Sequence, residues 1–175
     1  MVTVVKHDPL WAVQFETESQ RIRESLNTII VNIHHIGSTS IPDIHAKPVI
    51  DMLLEVDDVT ALDLFNESLS LLGYEAMGEY GIPGRRYFRL DDCKGVRRFQ
   101  LHAFQAGIYD VIRHLAFRDY MRVHPDLAAL YGSLKKQLAR EHRDDMDAYI
   151  AGKDSFIKEH ERKALAWRAQ GIKCP

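Results

Sequence analysis

The stretch that decides the fold is His34-His35-Ile36-Gly37-Ser38-Thr39-Ser40, followed after a short loop by Val49-Ile50-Asp51-Met52-Leu53-Leu54-Glu55-Val56. The residues before Gly37 are rich in β-branched side chains, which favour a strand over 29–36. The second segment is an apolar run broken only by two acids, which is typical of a strand buried on both faces. A strand, a Gly-Ser turn and a second strand that carries an acid predict a polar site where a sheet meets its loops.

The rest of the chain predicts helices around this sheet. Apolar residues recur at helical spacing after Asp8-Pro9, and a further helix is expected from Asp57 or Asp58 to Gly73. The prediction is an α+β fold in which a mixed β-sheet is flanked by helices and followed by a C-terminal helical layer. We expect one domain over 1–175, with a core at 1–107 and a helical part at 108–175. Further strands are expected at 86–90 and 98–104, paired as a hairpin, and helices at 110–124, 127–143 and 146–170.

Composition narrows the class of protein. The formal net charge of −2 gives no global basic field, which argues against nucleic acid as a partner. Cys93 and Cys174 are isolated thiols without a CxxC pair, so neither a zinc site nor a redox motif is indicated. The N-terminus is too short and polar for a signal peptide, and no apolar run approaches the roughly 20 residues of a membrane span. These features predict a cytoplasmic protein without a membrane partner.

The Gly-Ser turn has the composition of a phosphate-binding loop. Gly37 allows a sharp turn and a close approach of the backbone to a ligand. Ser38 and Thr39 offer hydroxyl and backbone N–H groups, which suit phosphate oxygens. The alternative is an ordinary capped turn, because such residues are common in loops.

Asp51 is the strongest candidate for a catalytic or metal-binding group. A carboxylate in an apolar strand is costly without a cation. Lys47, an arginine from elsewhere or a divalent metal such as Mg²⁺ could supply that cation. The alternatives are therefore a buried ion pair and a carboxylate that holds a metal carrying a nucleotide.

The neighbouring positions complicate a metal centre. Residues two apart share a strand face, and the position that would pair with Asp51 is Leu53. Glu55 is roughly 13 Å away along the strand, too far for paired metals about 4 Å apart, and we expect it near solvent. On the strand 98–104, His102 could act as a metal ligand or proton carrier, or be a core histidine bonded to a carbonyl.

Basic residues cluster in sequence near these elements. We expect Arg85, Arg86 and Arg89 at the start of a strand, and Arg113 and Arg118 on a helix, to bind phosphate through their forked donors. The alternative is that each pairs with a surface carboxylate. Arg86 could also approach Arg98 across the hairpin. The loop 78–84 holds three glycines and a proline and is expected to be a mobile hinge that closes over a ligand.

Longer motifs give a specific resemblance. The strings His35-Ile-Gly-Ser-Thr-Ser-Ile-Pro42 and Ala46-Lys-Pro-Val-Ile-Asp51 resemble the GrpB family of nucleotidyltransferase-fold proteins. So do Gly81-Ile-Pro-Gly-Arg-Arg-Tyr-Phe-Arg89, Leu101-His102, Phe117-Arg-Asp-Tyr-Met121 with His124-Pro125, and Tyr149 with Phe156-Ile157. The resemblance covers nearly the whole chain and implies the nucleotidyltransferase fold. Placement at strand ends and in the adjoining loops predicts one ligand cleft that also includes Gly37 and Thr39. The residues expected to converge on it are His35, Ser38, Lys47, Asp51, Arg86 and His102.

The resemblance leaves two functions open. One is an enzyme, with Ser38 on phosphate, Asp51 on Mg²⁺ and His102 in a catalytic role, that transfers a nucleotidyl group to an unknown acceptor. The other is a catalytically degenerate module that binds a nucleotide or coenzyme A-type ligand, or assists a partner enzyme of coenzyme A metabolism. The family is sometimes found fused to dephospho-CoA kinase, and Leu53 at the second acid position favours the binding module.

Overall fold

The structure, a computed structural model, describes residues 2–171 without the side chain of Asn27, so Cys174 lies outside the described residues. Short 3-10 helices cover Asn27–Ile29, Ser38–Ser40 and Ala61–Phe65. The α-helices are α1 (Leu10–Leu26), α2 (Asn66–Leu71), α3 (Tyr109–Val123), α4 (Pro125–Glu141) and α5 (Met146–Ala169). The strands are β1 (Ile30–Ile36), β2 (Ile50–Val56), β3 (Glu75–Ala76), β4 (Arg86–Asp91) and β5 (Arg97–Gln105).

The strands form one mixed sheet in the order β1-β2-β5-β4-β3. β2 runs parallel to β5, and the other neighbours are antiparallel. β2 is an inner strand, and its apolar residues on both faces are buried, as its sequence predicts. The predicted α+β class and the β4–β5 hairpin are both confirmed.

Helix α1 covers one face of this sheet. Trp11, Phe15, Ile22 and Leu26 recur at helical spacing and are all buried. Burial of this stripe is the main driving force for docking the helix, since a short helix alone is marginal in water. The helix predicted here and the three predicted after residue 107 are confirmed.

The helix predicted from Asp57 or Asp58 to Gly73 is wrong in its first half. The Asp58 carboxylate accepts hydrogen bonds from both the N–H and the hydroxyl of Thr60, at 2.8 and 2.6 Å. This local turn competes with helix formation. The chain therefore forms a 3-10 helix followed by the short α2, and then β3, which the sequence analysis did not predict.

The chain divides into two compact units that are interleaved in sequence. The sheet unit comprises Pro9–Ile36 and Val49–Val111, and the helical unit comprises the described residues 2–8, 37–48 and 112–171. In the helical unit, Ile41 and Ile44 pack in one apolar cluster with Met121 and Tyr131, which explains why the loop after Gly37 groups with the C-terminal helices. A single domain over the whole chain stays a prediction. None of the described helices combines the length and apolar character needed to cross a membrane.

Candidate functional site

Alternation along β2 gives the sheet a polar face and an apolar face. Met52 and Leu54 lie on the face covered by α1, while Asp51 lies on the opposite face. The parallel register places Asp51 beside Gln100, and Leu53 beside His102. The antiparallel register then places Tyr87 beside His102. Three strands therefore contribute polar or aromatic groups to the face that carries Asp51.

Asp51, His102 and Arg85 form a connected polar cluster on this face. The His102 Nε2 atom lies 3.6 Å from Asp51 Oδ1, with side chains 15% and 27% exposed. On its other side, His102 Nδ1 lies 3.4 Å from Arg85 Nη1. An arginine can only donate, so Nδ1 accepts this bond and the proton of a neutral ring is on Nε2, which faces Asp51. The catalytic and metal-binding roles of Asp51 and the catalytic role of His102 stay predictions.

Aromatic rings extend this cluster towards solvent. Tyr87 lies against His102, with ring centroids 5.2 Å apart, and Tyr80 stacks on Tyr87 at 5.1 Å. Burial raises the pKa of the Tyr87 phenol, whose oxygen accepts a hydrogen bond from Arg97 at 3.3 Å. The Tyr80 ring remains largely exposed. Sequence reasoning missed Tyr80, although its place in the Gly-rich loop was the available signal.

Arg85 fastens the loop 78–84 to the sheet. Its Nε and Nη2 atoms donate to the backbone carbonyls of Glu79 and Tyr80 at 3.2 and 2.7 Å, and its guanidinium lies 5.0 Å from the Tyr87 ring. Within the loop, the Glu79 carboxylate accepts a hydrogen bond from the Gly84 N–H at 2.7 Å. Arg85 thus positions both the loop and His102. Whether the loop closes over a ligand stays a prediction.

His35 and Arg86 lie on the other face, which corrects the expectation that they converge with Asp51 and His102. His35 pairs with Met52 in the register, is 8% exposed and stacks on Phe15 at 4.9 Å. Arg86 pairs with Ala103, next to His102 along β5. Neighbouring strand residues point to opposite faces, so one position of offset separates these side chains. The ligand roles of His35 and Arg86 stay predictions.

Most of the arginines that the sequence predicts to bind phosphate form ion pairs with carboxylates. Arg86 donates to both oxygens of Asp63, at 2.6 and 2.9 Å, and this holds the pKa of Asp63 below its ordinary value. Arg86 does not approach Arg98, because the antiparallel register pairs Arg86 with Ala103 and leaves Arg98 at the turn end of the hairpin. The other pairs are Arg89 with Glu75, Arg113 with Glu161 and Arg118 with Asp119.

The Gly-Ser turn lies in the helical unit as a single 3-10 turn. Gly37 adopts a positive φ of 69°, and its carbonyl accepts the Ser40 hydroxyl at 2.6 Å. Ser38 is half-buried, and its N–H and hydroxyl have no acceptor within the described part of the chain. Thr39 is buried. Lys47 Nζ lies 3.4 Å from the sulfur of Met146. Convergence of Ser38 and Lys47 on the Asp51 cluster stays a prediction.

The donor set around Asp51 does not match a two-metal centre. Leu53, at the second acid position, is 0% exposed and part of the apolar core. Glu55 does not face solvent as expected. It accepts bonds from His34 at 2.6 Å and from the Gly107 N–H at 3.3 Å. Across residues 2–171, no three His, Cys, Asp or Glu side chains gather closely enough to hold a metal ion.

Comparison with known proteins identifies relatives of this chain. The family model described as GrpB protein matches residues 1–163. The UPF0157 protein YqkA of Bacillus subtilis is 44% identical over 167 residues, which cover 95% of this chain and 48% of YqkA. A protein of Mycolicibacterium paratuberculosis named dephospho-CoA kinase is 26% identical over 95% of this chain and 46% of its own length. The chain thus spans about half the length of these two relatives.

Solved structures show the same fold. The crystal structure of conserved protein GrpB from Enterococcus faecalis matches with a TM-score of 0.90 and 42% identity, covering 95% of this chain and 99% of that one. Cid1 in complex with the UTP analog UMPNPP matches with a TM-score of 0.56 and 15% identity, over 84% of this chain and 48% of that chain. At this low identity the second match establishes a shared nucleotidyltransferase-like fold and nothing finer.

Proposed function

This chain belongs to the GrpB family, and on that premise we propose that it binds a nucleotide or another phosphate-bearing small molecule, as a ligand-binding module on a nucleotidyltransferase fold. The observation that carries this proposal is the partly exposed Asp51–His102 pair on one sheet face, with the fully buried Leu53 two residues after Asp51 on the same strand. One acid thus lies on a polar part of the sheet, and the core residue Leu53 occupies the position where an active transferase would carry its second acid.

The chemistry of the cluster suits the nucleoside part of such a ligand. The His102 Nε2–H can donate and the Asp51 carboxylate can accept, a combination that matches sugar hydroxyls or an amino group on a base. The exposed face of Tyr80 offers a platform on which a base can stack. Cid1, which shares the fold, is described in complexes with UMPNPP and with MgATP. That precedent supports a nucleotide as the class of ligand.

Asp51 fits a Mg²⁺ ion that arrives with the ligand. Mg²⁺ prefers oxygen ligands and is often held by one or two carboxylates together with substrate phosphates and water. Asp51 would supply one carboxylate, and the metal would neutralise phosphate charge. Leu53 leaves a two-metal mechanism without its second ligand, so nucleotidyl transfer is the less supported function.

Coenzyme A-type molecules are a second source of the same chemistry, because they combine an adenine nucleotide with phosphates. The relative named dephospho-CoA kinase supports this choice, since a region like this chain makes up 46% of it. A domain joined to such an enzyme can bind its ligand or assist it as a partner. We therefore include coenzyme A and dephospho-CoA among the candidate ligands.

Thermal shift with a pair of matched tyrosine variants tests the proposal. ATP, UTP, coenzyme A and dephospho-CoA would be added with and without Mg²⁺, since a ligand at 100 times its Kd stabilises the native state by about 2.7 kcal/mol. Tyr80→Ala removes the stacking platform. Tyr109→Ala is the control, because Tyr109 is 62% exposed, close to the 59% of Tyr80.

We expect the wild type and Tyr109→Ala to be stabilised by the same ligand. Tyr80→Ala should bind that ligand about tenfold more weakly, since a stacked base contributes about 1–3 kcal/mol. If none of the four ligands stabilises the wild type, or if both tyrosine variants lose binding equally, the proposed ligand class or its site is wrong.

A further inference from the structure

A basic groove in the helical unit lies outside the cluster around Asp51. Its volume is about 450 Å³. One wall is the N-terminal arm, residues 2–4, and the other is the end of α4 with Lys136, Ala139, Arg140 and Arg143. None of these residues is among those that the sequence analysis assigned to a ligand.

The arm that forms the first wall is firmly attached. The Val2 N–H donates to the Arg143 carbonyl at 2.6 Å, and Val5 pairs with Ala46 in an isolated antiparallel bridge. The Val2 side chain is buried in an apolar cluster with Leu138 and Tyr149. The groove is therefore a defined feature of the helical unit with two fixed walls.

Two cations on α4 face this groove without a counter-charge. Lys136 and Arg140 are four residues apart and so lie on one face of the helix. Across the described residues, neither side chain makes a hydrogen bond or an ion pair. Glu141, the nearest acid in sequence, accepts a hydrogen bond from Gln137 at 2.8 Å instead. Like charges at this spacing repel each other, and a bound anion would relieve that repulsion.

The electrostatic effect of these cations reaches a neighbouring side chain. The pKa of His45 is lowered, first by partial desolvation and then by the positive charges of Lys136, Lys6 and Lys135. Three lysines thus raise the local potential in a chain whose net charge is −2. On strand β4, by contrast, the charges of Arg86 and Arg89 are offset by Asp63 and Glu75.

A second concave surface shares the same two cations. It has a volume of about 530 Å³ and adds Ser133, Gln137 and Glu141 to Lys136 and Arg140. The two cations therefore form a ridge that an anion can reach from both sides. Their positions differ by one helical turn, about 6 Å along the axis, which a single chain of linked phosphates can span.

We propose that this groove is a binding site for a linear oligophosphate, a ligand with two or more linked phosphate groups. Arg140 suits a forked interaction with phosphate oxygens, and Lys136 supplies a point charge. The residues that line the groove include no aromatic side chain, whereas sites for single-stranded nucleic acid rely on aromatic platforms. Recognition here rests on the phosphates, so an inorganic oligophosphate or the phosphate chain of a nucleotide fits the site.

Titration calorimetry with inorganic tripolyphosphate tests this site separately from the Asp51 cluster. The double variant Lys136→Gln/Arg140→Gln removes the two unpaired cations. The matched control Lys158→Gln/Lys163→Gln removes the same charge from α5, where both lysines pair with acids. We expect the first variant to bind tripolyphosphate at least about tenfold more weakly. Each lost hydrogen bond between charged groups weakens binding by about that factor. The control should bind like the wild type.

Further measurements distinguish binding in this groove from binding at the Asp51 cluster and from an effect of net charge. Occupancy should raise the pKa of His45, followed by NMR, because the anion offsets the lysine charges. Tyr80→Ala should leave tripolyphosphate binding unchanged, so this site can fail while the proposed nucleotide site stands. Equal weakening in both double variants would mean that only net charge matters and would overturn the proposal. Much tighter binding of a single-stranded oligonucleotide, increasing with its length, would replace it with a nucleic-acid surface.

Discussion

The substitution Asp51→Asn tests the polar face most directly, because it keeps the shape of the side chain and removes its charge. Asp51 is partly exposed, and its nearest charged partner is His102 at 3.6 Å. Two unit charges at this distance attract by about 1 kcal/mol in a water-like dielectric, and the imidazole is charged only when protonated. We therefore expect the free energy of unfolding to fall by no more than about 1 kcal/mol, a Tm change of about 2–4 °C.

The effect on ligand binding should be larger than the effect on stability. If Asp51 completes the coordination of a Mg²⁺ ion carried by a nucleotide, Mg²⁺ will strengthen nucleotide binding in the wild type and will not do so in Asp51→Asn. The assay is a titration of ATP or coenzyme A with and without Mg²⁺, beside urea unfolding of each protein. Asp154→Asn is the control, since it removes the same charge from an exposed pair on α5.

Two results would contradict this reasoning. A stability loss of about 3–5 kcal/mol is the penalty for breaking a buried ion pair, and would mean that Asp51 is a structural charge despite its exposure. An equal Mg²⁺ enhancement in the wild type and in Asp51→Asn would refute the role of Asp51 towards a ligand-borne metal. A Mg²⁺ effect lost equally in Asp154→Asn would assign it to net charge.

Two further predictions concern stability. Gly152→Ala should lower the free energy of unfolding by up to about 2 kcal/mol, because a Cβ would lie 2.5 Å from a methyl of the buried Leu138. Overpacking of this kind costs about 1–3 kcal/mol, more than the gain of about 1 kcal/mol in helix propensity; urea unfolding measures the difference, and a stabilised variant would contradict it. The Arg86 bond lowers the pKa of Asp63 below its ordinary 3.8, so their pair stabilises the fold above that pH and is lost as the pH falls through the lowered value. The stability difference between wild type and Arg86→Gln should therefore be full at neutral pH and shrink in acid, and a difference that grows in acid would contradict it.

Much of this protein could be predicted from its sequence because the signals are local. The apolar run at Ile50–Val56 indicates an inner strand, and the apolar spacing in α1, α4 and α5 indicates helices. The Gly-Ser turn and Asp51 carry the family motif, and the family model and the Enterococcus faecalis structure confirm it. The missing second acid at Leu53 was also visible, since residues two apart on a strand share a face.

Only the tertiary structure decided which of the candidate residues meet. The parallel pairing of β2 with β5 joins segments about 50 residues apart in sequence and sets Asp51 near His102. A shift of one residue in any register moves a side chain to the other face, and this separates His35 from Asp51. The pairing of Arg86 with Asp63 and the unpaired state of Arg140 depend in the same way on distant segments. Register and charge pairing are properties of contacts between segments, and the local pattern of a sequence does not contain them.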